Sequence, residues 1–204
     1  MTRTLLCVPM KDPAAAKTRL AGRLDASQRA RLAEALFLRT LAFLRPLSLD
    51  HGAELMVVTG SARIADLATG RGVELIADGA ERTLSGAAAT AAAWAAGQGF
   101  SRLCLIPADL AAPLASDVAR ILEASAEVVI CPSEDGGTNA LAMTPPDAMA
   151  FRYGPGSARA HAAEAARRGL SHEVLRLPSL SFDIDTTDGL ARARALVPDL
   201  EAAL

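Results

Sequence analysis

The feature of this sequence that most constrains its fold is the alternation of short aliphatic runs with segments of helical periodicity. Four runs of strand length occupy the chain up to Asp109: "TLLCVPM", "ELMVVTG", "VELIAD" and "RLCLIPAD". Helical segments lie between them: "SQRARLAEALFLRTLAFL", "ARIADLA" and an alanine-rich stretch from about Leu84 to Ala96. Such alternation predicts a Rossmann-like α/β fold, with a mostly parallel sheet and helices on both faces. Ligands of such sheets bind beyond the carboxyl ends of the strands.

The second half of the chain continues the pattern with one predicted hairpin. "EVVICPS" and "NALAMTP" read as strands joined by the polar "EDGGT", and "HEVLRLPS" follows a helix that begins after "YGPGS". A final helix is predicted from about Asp188 to Val197. The chain has no internal repeat and no linker long enough to separate two domains, so residues 1–204 are predicted to form a single domain.

Composition excludes several classes of protein. The formal net charge of -2 argues against a nucleic-acid binder, which would carry a basic face. The stretch "SGAAATAAAWAAGQG" is shorter than the ~20 strongly apolar residues that a membrane span needs. The N-terminus lacks the features of a signal peptide, and the three cysteines lie inside apolar runs without metal-site spacing. These observations predict a cytoplasmic protein without a membrane partner.

The segment after the first strand, "PMKDPAAAKTRL", is rich in cations. It contains neither the G-x-G-x-x-G fingerprint nor the G-K-[ST] phosphate loop, so neither a dinucleotide dehydrogenase nor a P-loop ATPase is supported. Instead it places Lys11, Lys17 and Arg19 within nine positions, where they could bind a triphosphate and neutralise a departing pyrophosphate. The alternative is a solvated loop and helix start.

Asp109 ends the apolar run "RLCLIPAD". A carboxylate in that position would be costly to bury unless it were paired or bound a metal, and Mg²⁺ prefers a few carboxylates together with substrate phosphate oxygens. The alternative is a helix N-cap, but the next helix is predicted to begin nearer Ser116. Position therefore favours a magnesium ligand.

Two further carboxylates lie in "SFDIDTTDGL". Asp183 and Asp185 are two residues apart and would share one side of an extended segment, where their charges repel unless a cation lies between them. Thr186, Thr187 and Asp188 fit the start of the final helix. Asp109, Asp183 and Asp185 together form a candidate binuclear magnesium site.

The turn in "SEDGGTNAL" brings short polar residues next to two glycines. The glycines allow a tight turn with close backbone approach, and Thr138 and Asn139 add polar groups that a ligand could contact. A plain hairpin connection would explain the glycines but does not require Thr138 or Asn139.

The stretch "YGPGSARAHAAEA" opens a helix with Gly154, Gly156 and Ser157 in its turn. Backbone N–H groups at a helix N-terminus suit an anion. His161 lies one helical turn after Ser157, so it could face the same anion or lie on the surface of the helix. No serine lies in a nucleophile-elbow pattern and no cysteine pairs with a histidine, so covalent catalysis is not indicated.

Taken in order, "VPMKDPAAAKTRLAG", "LIPADL", "SEDGGTNAL", "YGPGSARAHAAEA" and "LSFDIDTTDGL" resemble the phospholactate or phosphoenolpyruvate guanylyltransferases of deazaflavin coenzyme biosynthesis. The resemblance covers nearly the whole chain. It implies a nucleotide-diphosphosugar transferase type of fold, like that of the molybdopterin guanylyltransferases. It also implies transfer of GMP from GTP to a small phospho-acid, either phosphoenolpyruvate, 2-phospho-L-lactate or 3-phospho-D-glycerate, in a route to coenzyme F420.

Residue by residue, the resemblance implies that Thr138, Gly154 and Ser157 bind the phospho-acid. It likewise implies Mg²⁺ at Asp109, Asp183 and Asp185, and the triphosphate at Lys17 and Arg19. Relatives carry a "GLNAAL"-like segment where this chain has "TLSGAAA", residues 83–89, so Ser85 stands in place of an expected asparagine near the nucleotide. Two alternatives are a transferase of the same fold acting on molybdopterin or a sugar phosphate, and a non-catalytic nucleotide-binding domain.

Overall fold

A computed structural model describes residues 3–79, 83–182, 184–185 and 187–197 of the chain. Strands and helices alternate in these residues much as the sequence predicts. They are β1 (Thr4–Pro9), α1 (Ala26–Asp50), β2 (Ala53–Thr59), α2 (Ala62–Thr69), β3 (Glu74–Ala77), α3 (Leu84–Gly97), β4 (Arg102–Leu105), α4 (Ala115–Glu123), β5 (Val128–Pro132), β6 (Thr138–Met143), α5 (Ser157–Arg167), β7 (His172–Val174) and α6 (Thr187–Leu196).

The strands form one seven-stranded sheet in the order β3-β2-β1-β4-β6-β5-β7. Strand β1 pairs in parallel with β2 and β4, and β3 and β7 are also parallel to their neighbours. Only β6, of the strands described, runs against its neighbours, because it is antiparallel to both β4 and β5. The mostly parallel sheet and the hairpin between β5 and β6 are therefore confirmed.

Helices cover both faces of the sheet, as predicted. The core on one face is formed by β1 and by residues of α1, α2 and α4, for example Phe37, Ile64 and Val118. Alanines of α3 pack on the opposite face against β1, while α5 packs through Ala165 against β5 and β6. Helix α6 packs against α1 rather than against the sheet. The three cysteines are buried in β1, β4 and β5.

Local signals determine where the helices begin. Asp25 caps α1, since its Oδ1 accepts a hydrogen bond from Gln28 N at 2.8 Å while Gln28 Oε1 accepts one from Asp25 N at 2.9 Å. Thr83 caps α3 by accepting a hydrogen bond from Gly86 N at 3.0 Å. The cap of α5 is Gly156, whose φ of 71° is readily adopted by glycine. None of the described helices is long and apolar enough to cross a membrane.

Arg102 lies at the start of β4, at the edge of the sheet formed by the amino ends of the parallel strands. Its guanidinium is buried and donates hydrogen bonds to Ile121 O at 3.1 Å, Ala126 O at 3.3 Å and Thr144 Oγ1 at 3.1 Å. Burial lowers the pKa of this guanidinium below its ordinary value. Arg102 thereby connects the end of α4 to the end of β6 at the side of the molecule opposite the candidate site.

Candidate functional site

The order of the strands determines where the main cleft lies. The chain passes from β1 outward to β2 and β3, and then returns to the other side of β1 as β4. Segments that leave these strands in opposite directions enclose a crevice at their carboxyl ends. An open cleft of about 860 Å³ lies there, lined by Pro9, Met10, Lys11, Asp12, Ala16, Lys17, Thr18, Arg19, Ala33, Gly60, Ser61, Asp78, Gly79, Thr83, Leu84, Ala87, Pro107, Ala108, Asp109 and Asp185.

The three predicted cations line this cleft but differ in their surroundings. Lys11 and Arg19 are exposed, so their charges are available to a bound anion. Lys17 is buried, and its backbone adopts the left-handed conformation with φ of 54°. Its ammonium donates a hydrogen bond to Asp109 Oδ2 at 2.5 Å and another to Asp185 Oδ1 at 2.8 Å. Lys17 therefore connects two of the three predicted metal ligands.

Electrostatic attraction keeps Lys17 charged despite its burial. Burial alone would lower the pKa of the ammonium, but the charges of Asp109 and Asp185 and the two hydrogen bonds raise the pKa above its ordinary value. The two carboxylates are also brought together by the backbone, because Ile184 N donates a hydrogen bond to Asp109 O at 3.4 Å. Asp109 is not an N-cap, since α4 begins six residues later, at Ala115.

The chemistry of this pair suits a hard cation. Two carboxylates directed at a common point, next to a cleft that holds exposed cations, match the oxygen ligands that Mg²⁺ takes beside a phosphate. The Lys17 ammonium lies at that point, so a metal ion would have to displace it. Asp183, the third predicted ligand, lies outside the described residues, and these contain no group of three His, Cys, Asp or Glu side chains placed to hold a metal.

Asp78 is a further candidate site residue, which was not predicted from the sequence. It directly follows β3 and lines the cleft, and its Oδ1 atom is buried without a hydrogen-bond partner within the described residues. A buried carboxylate oxygen without a partner is costly unless a ligand donates to it. The signal was present in the sequence, because Asp78 ends the run "VELIAD" just as Asp109 ends "RLCLIPAD".

The hairpin turn between β5 and β6 is organised by the carboxylate of Asp135. Asp135 Oδ1 accepts hydrogen bonds from Ser133 Oγ at 2.5 Å and from Gly137 N at 3.1 Å. These hydrogen bonds, together with a smaller contribution from the charge of Arg19, hold the pKa of Asp135 below its ordinary value. The Asp135 carboxylate thereby holds the hairpin turn closed.

The turn before α5 contacts the hairpin turn and carries unpaired amides. Ala158 N donates a hydrogen bond to Gly136 O at 3.4 Å, and Ser157 N donates one to Gly154 O at 3.1 Å. The N–H groups of Gly154 and Gly156 donate to no acceptor in the part of the chain that the structure describes. The predicted anion site at this helix end therefore has free donors at the two glycines, whereas the Ser157 amide is already used.

Beneath this turn, Thr138, Ser157 and His161 form a buried polar cluster. Thr138 Oγ1 is 2.9 Å from Ser157 Oγ and 3.1 Å from His161 Nδ1, and Arg152 N donates a hydrogen bond to His161 Nε2 at 3.0 Å. The interpretation of His161 as a surface residue of the helix is wrong, since its side chain is fully buried. Helical periodicity did not reveal this burial, because α5 is covered by the segment that contains Arg152 and Tyr153.

Two other predicted residues have structural partners. Asn139 Nδ2 donates a hydrogen bond to Leu180 O at 2.8 Å, which fastens the segment that leads to Asp185. Ser85 Oγ accepts a hydrogen bond from Tyr153 N at 3.0 Å, so it joins the start of α3 to the turn before α5. The cleft itself is lined by its neighbours Thr83 and Leu84.

Comparison with known families gives a match over nearly the whole chain. The profile of the family described as "Guanylyl transferase CofC like" matches residues 4–193. The chain is 39% identical to the 3-phospho-D-glycerate guanylyltransferase of Colwellia psychrerythraea, over 92% of this chain and 90% of the relative. It is 37% identical to the phosphoenolpyruvate guanylyltransferase of Conexibacter woesei, over 95% and 88%. It is 32% identical to the 2-phospho-L-lactate guanylyltransferase of Methanothermobacter thermautotrophicus, over 92% and 82%.

Solved structures confirm the type of fold. A protein of Desulfovibrio desulfuricans G20 classed with the nucleotide-diphospho-sugar transferases superimposes with a TM-score of 0.77 at 20% identity, over 100% of this chain and 97% of that one. The glucosyl-3-phosphoglycerate synthase of Mycobacterium tuberculosis, solved with Mn²⁺, uridine diphosphate and glucosyl-3-phosphoglycerate, gives a TM-score of 0.63 at 14% identity, over 99% and 79%. The predicted Rossmann-like architecture is shared with both proteins.

Proposed function

Since the chain belongs to the guanylyl transferase CofC-like family, we propose that it transfers the GMP group of GTP to the phosphate of a small phospho-carboxylic acid and releases pyrophosphate. The acceptors named for its relatives are 3-phospho-D-glycerate, phosphoenolpyruvate and 2-phospho-L-lactate. These acids share a phosphate that attacks and a carboxylate that can be recognised. The guanylylated product would serve as a precursor of coenzyme F420, as the family resemblance implies.

The observation that carries this proposal is the meeting of opposite charges in one cleft. Lys11 and Arg19 offer exposed cations, while Asp109 and Asp185, which line the same cleft, converge on a common point. A nucleoside triphosphate site needs both cations and carboxylates. The phosphate oxygens bind cationic side chains directly, and they also bind a divalent metal that the carboxylates hold. The turn before α5, with the free amides of Gly154 and Gly156, supplies a second anion site nearby.

The chemistry requires no general base from the chain. The phosphate of the acceptor is already anionic at neutral pH, so it can attack the α-phosphorus of GTP while the P–O bond to pyrophosphate breaks. Catalysis then consists of placing the two reactants in line and neutralising the charge that develops on pyrophosphate. Lys11 and Arg19 would hold the triphosphate, and the turn before α5 would hold the acceptor.

A divalent metal completes the proposal. Asp109 and Asp185 would hold Mg²⁺, which when bound neutralises triphosphate charge and acts as a Lewis acid. Lys17 would move from between the two carboxylates and use its ammonium on the triphosphate. A structural neighbour of the same fold binds Mn²⁺, which agrees with metal use by this architecture.

Asp78 would recognise the guanine base. Guanine presents two adjacent donors, N1–H and the N2 amino group, whereas adenine and cytosine each present one amino donor beside an acceptor nitrogen. Asp78 lines the cleft, and its carboxylate, whose Oδ1 has no hydrogen-bond partner in the described part of the chain, offers acceptor oxygens that suit such an edge. The departure at residues 83–89 would then leave guanine preference intact.

The experiment that tests this function measures pyrophosphate release with GTP, ATP, CTP and UTP against each of the three acids. We expect release with GTP and at least one acid, and the panel identifies the acceptor. Asp78→Asn is the matched variant, because it keeps the shape of the side chain but replaces one acceptor oxygen by an amide donor. It should lose most of the preference for GTP over ATP. If no nucleotide releases pyrophosphate with any of the three acids, the proposal is wrong, and a transferase with another acceptor or a non-catalytic nucleotide-binding domain takes its place.

A further inference from the structure

The buried cluster of Thr138, Ser157 and His161 has one hydrogen-bond donor that no other member of the cluster accepts. The reaction described above assigns no function to this donor. The three side chains lie under the turn that carries the free amides, with exposed fractions of 8%, 1% and 0%. Polar groups that are this deeply buried form hydrogen bonds in nearly all known structures. The direction of each hydrogen bond can therefore be worked out from the donors and acceptors present.

The proton of His161 is on Nδ1. Arg152 N is 3.0 Å from His161 Nε2, and a backbone N–H can only donate, so Nε2 is the acceptor and carries no proton. Burial lowers the pKa of this imidazole to about 4, which leaves the ring neutral at pH 7. The single ring proton therefore lies on Nδ1, and Nδ1 donates it to Thr138 Oγ1 at 3.1 Å.

One of the two hydroxyl protons in this cluster is then not used in any hydrogen bond within the cluster. Thr138 and Ser157 each carry one hydroxyl proton, and the bond of 2.9 Å between their oxygens uses one of them. His161 cannot accept the other, because its Nδ1 is a donor and its Nε2 is occupied by Arg152 N. Within the described residues, neither hydroxyl has a further hydrogen-bond partner, so the second proton has no acceptor there. The Thr138–Ser157 hydroxyl pair can therefore donate a hydrogen bond to an acceptor from outside the chain.

We infer that His161 is a positioning residue of the acceptor subsite, which orients the Thr138–Ser157 hydroxyl pair to donate a hydrogen bond to the anionic group of the phospho-acid. This inference rests on the proposed function, because it describes how the same site recognises its acceptor. With the opposite tautomer, Nδ1 would take the Thr138 proton and the pair would present oxygen lone pairs, which repel an anion. Thr138 is the more exposed member of the pair and the nearer to solvent.

Two amide variants separate the functions of the two ring nitrogens. His161→Asn places an amide where Nδ1 lies and keeps a donor for Thr138, while His161→Gln places its amide where Nε2 lies and keeps an acceptor for Arg152 N. Loss of a hydrogen bond to a charged group costs about 1.5–3 kcal/mol, or at least roughly tenfold in binding. We therefore expect His161→Gln to raise the KM for the acceptor at least about tenfold and His161→Asn to change it less than about threefold. The KM for GTP should stay the same in both.

A purely structural role for His161 predicts a different result. Both variants would then lower the melting temperature and reduce kcat to similar extents without separating the two KM values. An equal rise of the acceptor KM in both variants, or a rise of the GTP KM, would overturn the inference. Thr138→Val, which removes the hydroxyl at constant shape, should match His161→Gln in its acceptor KM.

A second measurement does not depend on turnover. ¹⁵N NMR of the unliganded protein distinguishes the tautomers of His161, whose signals are identified by their loss in His161→Asn. We expect the Nδ1–H tautomer throughout pH 6–8, and the Nε2–H tautomer would contradict the inference. If pyrophosphate is never released, the proposed function fails while this spectrum still tests the tautomer. If pyrophosphate is released but the two amide variants behave alike, only the role of His161 fails.

Discussion

At the scale of single residues, Lys17 balances the charge of two carboxylates that line the cleft. Its ammonium lies between Asp109 and Asp185 and neutralises carboxylates that would otherwise repel one another. The left-handed backbone at this residue, with φ of 54°, costs free energy for any side chain other than glycine. The two short ionic hydrogen bonds offset that cost. The same ammonium lies where the proposed metal ion would bind.

Lys17→Met tests this competition. Without the ammonium, Asp109 and Asp185 lose their compensating charge, so Mn²⁺ should bind the nucleotide-free protein at least about tenfold more tightly, while turnover with GTP falls. Titration calorimetry or electron paramagnetic resonance of Mn²⁺ measures the affinity. Lys11→Met is the control, since it removes an exposed cation from the same cleft. Unchanged or weaker Mn²⁺ binding in Lys17→Met would contradict the assignment of the two carboxylates to a metal.

The buried imidazole of His161 makes stability depend on pH. Its pKa is lowered by burial from 6.5 to about 4 in the folded protein. Between these values the unfolded chain binds more protons, so the free energy of unfolding should decrease as the pH falls from 6.5 to 4, by about 3 kcal/mol at most. Urea denaturation at several pH values measures the decrease. His161→Asn should lack this part of the decrease, and an identical decrease in both proteins would show that His161 does not cause it.

The order of strands and loops allowed many site residues to be predicted from sequence. Lys11, Arg19 and Asp109 follow apolar strands, and the carboxyl ends of parallel strands meet, so their convergence in one cleft follows from the pattern. The ion pairs of Lys17 could not be predicted, because its partners are 92 and 168 residues away. Their pairing depends on how the loops pack, and a loop carries no periodic signal.

At the scale of elements, the site depends on two turns that touch each other. The hairpin turn before β6 and the turn before α5 meet through the hydrogen bond from Ala158 N to Gly136 O. Gly154 in the second turn has a φ of 139°, a conformation that other residues rarely adopt. Its amide and that of Gly156 stay free only while this backbone geometry is kept.

Gly154→Val should weaken binding of the acceptor without changing binding of GTP. No atom lies within 4 Å of the position that a Cβ would take, so the effect comes from the backbone angle and not from a clash. We expect the acceptor KM to rise at least about tenfold, because amides that bind a charged group are displaced, with little change in the GTP KM. The matched control is Gly99→Val, which also has a positive φ, of 75°, and open space around it, but lies beyond the end of α3. A loss of GTP affinity with acceptor affinity kept would place this turn in the nucleotide site.

Most elements were predicted within a few residues because their apolar periodicity is strong. The end of α1 was the exception. The sequence pattern ends near Leu44, before Pro46, whereas the helix continues to Asp50. Proline removes one backbone hydrogen bond but does not end a helix whose flanking residues, here Leu44 and Leu47, are held by the core.

At the scale of the whole molecule, the candidate binding cleft and the buried guanidinium of Arg102 lie at opposite edges of the sheet. The cleft lies at the carboxyl ends of the parallel strands, and the buried guanidinium of Arg102 lies at the amino end of β4. Parallel strands cause this separation, because all their carboxyl ends lie at one edge of the sheet and all their amino ends lie at the other. Changes at the second edge should therefore affect folding without affecting chemistry.

Arg102→Met provides that test. The variant keeps the volume of the side chain but leaves Ile121 O and Ala126 O without their donor, so the free energy of unfolding should fall by about 2–4 kcal/mol. Denaturation in urea measures the fall. The kcat/KM for GTP should be unchanged at temperatures where the variant is folded. A fall in kcat/KM that matches the loss of stability would show that the two edges are coupled.

The burial of all three cysteines in the strands has a practical consequence for experiments on this protein. Burial raises the pKa of Cys7 and Cys104 to about 12 and that of Cys131 to about 11, so almost no thiolate is present at neutral pH. Since the thiolate is the form that reacts with maleimides and iodoacetamides, the native chain should remain unlabelled under mild conditions. A cysteine introduced at the exposed Leu84, on the rim of the cleft, would then be the single reactive position. A fluorophore attached there could report nucleotide binding without removal of any native cysteine.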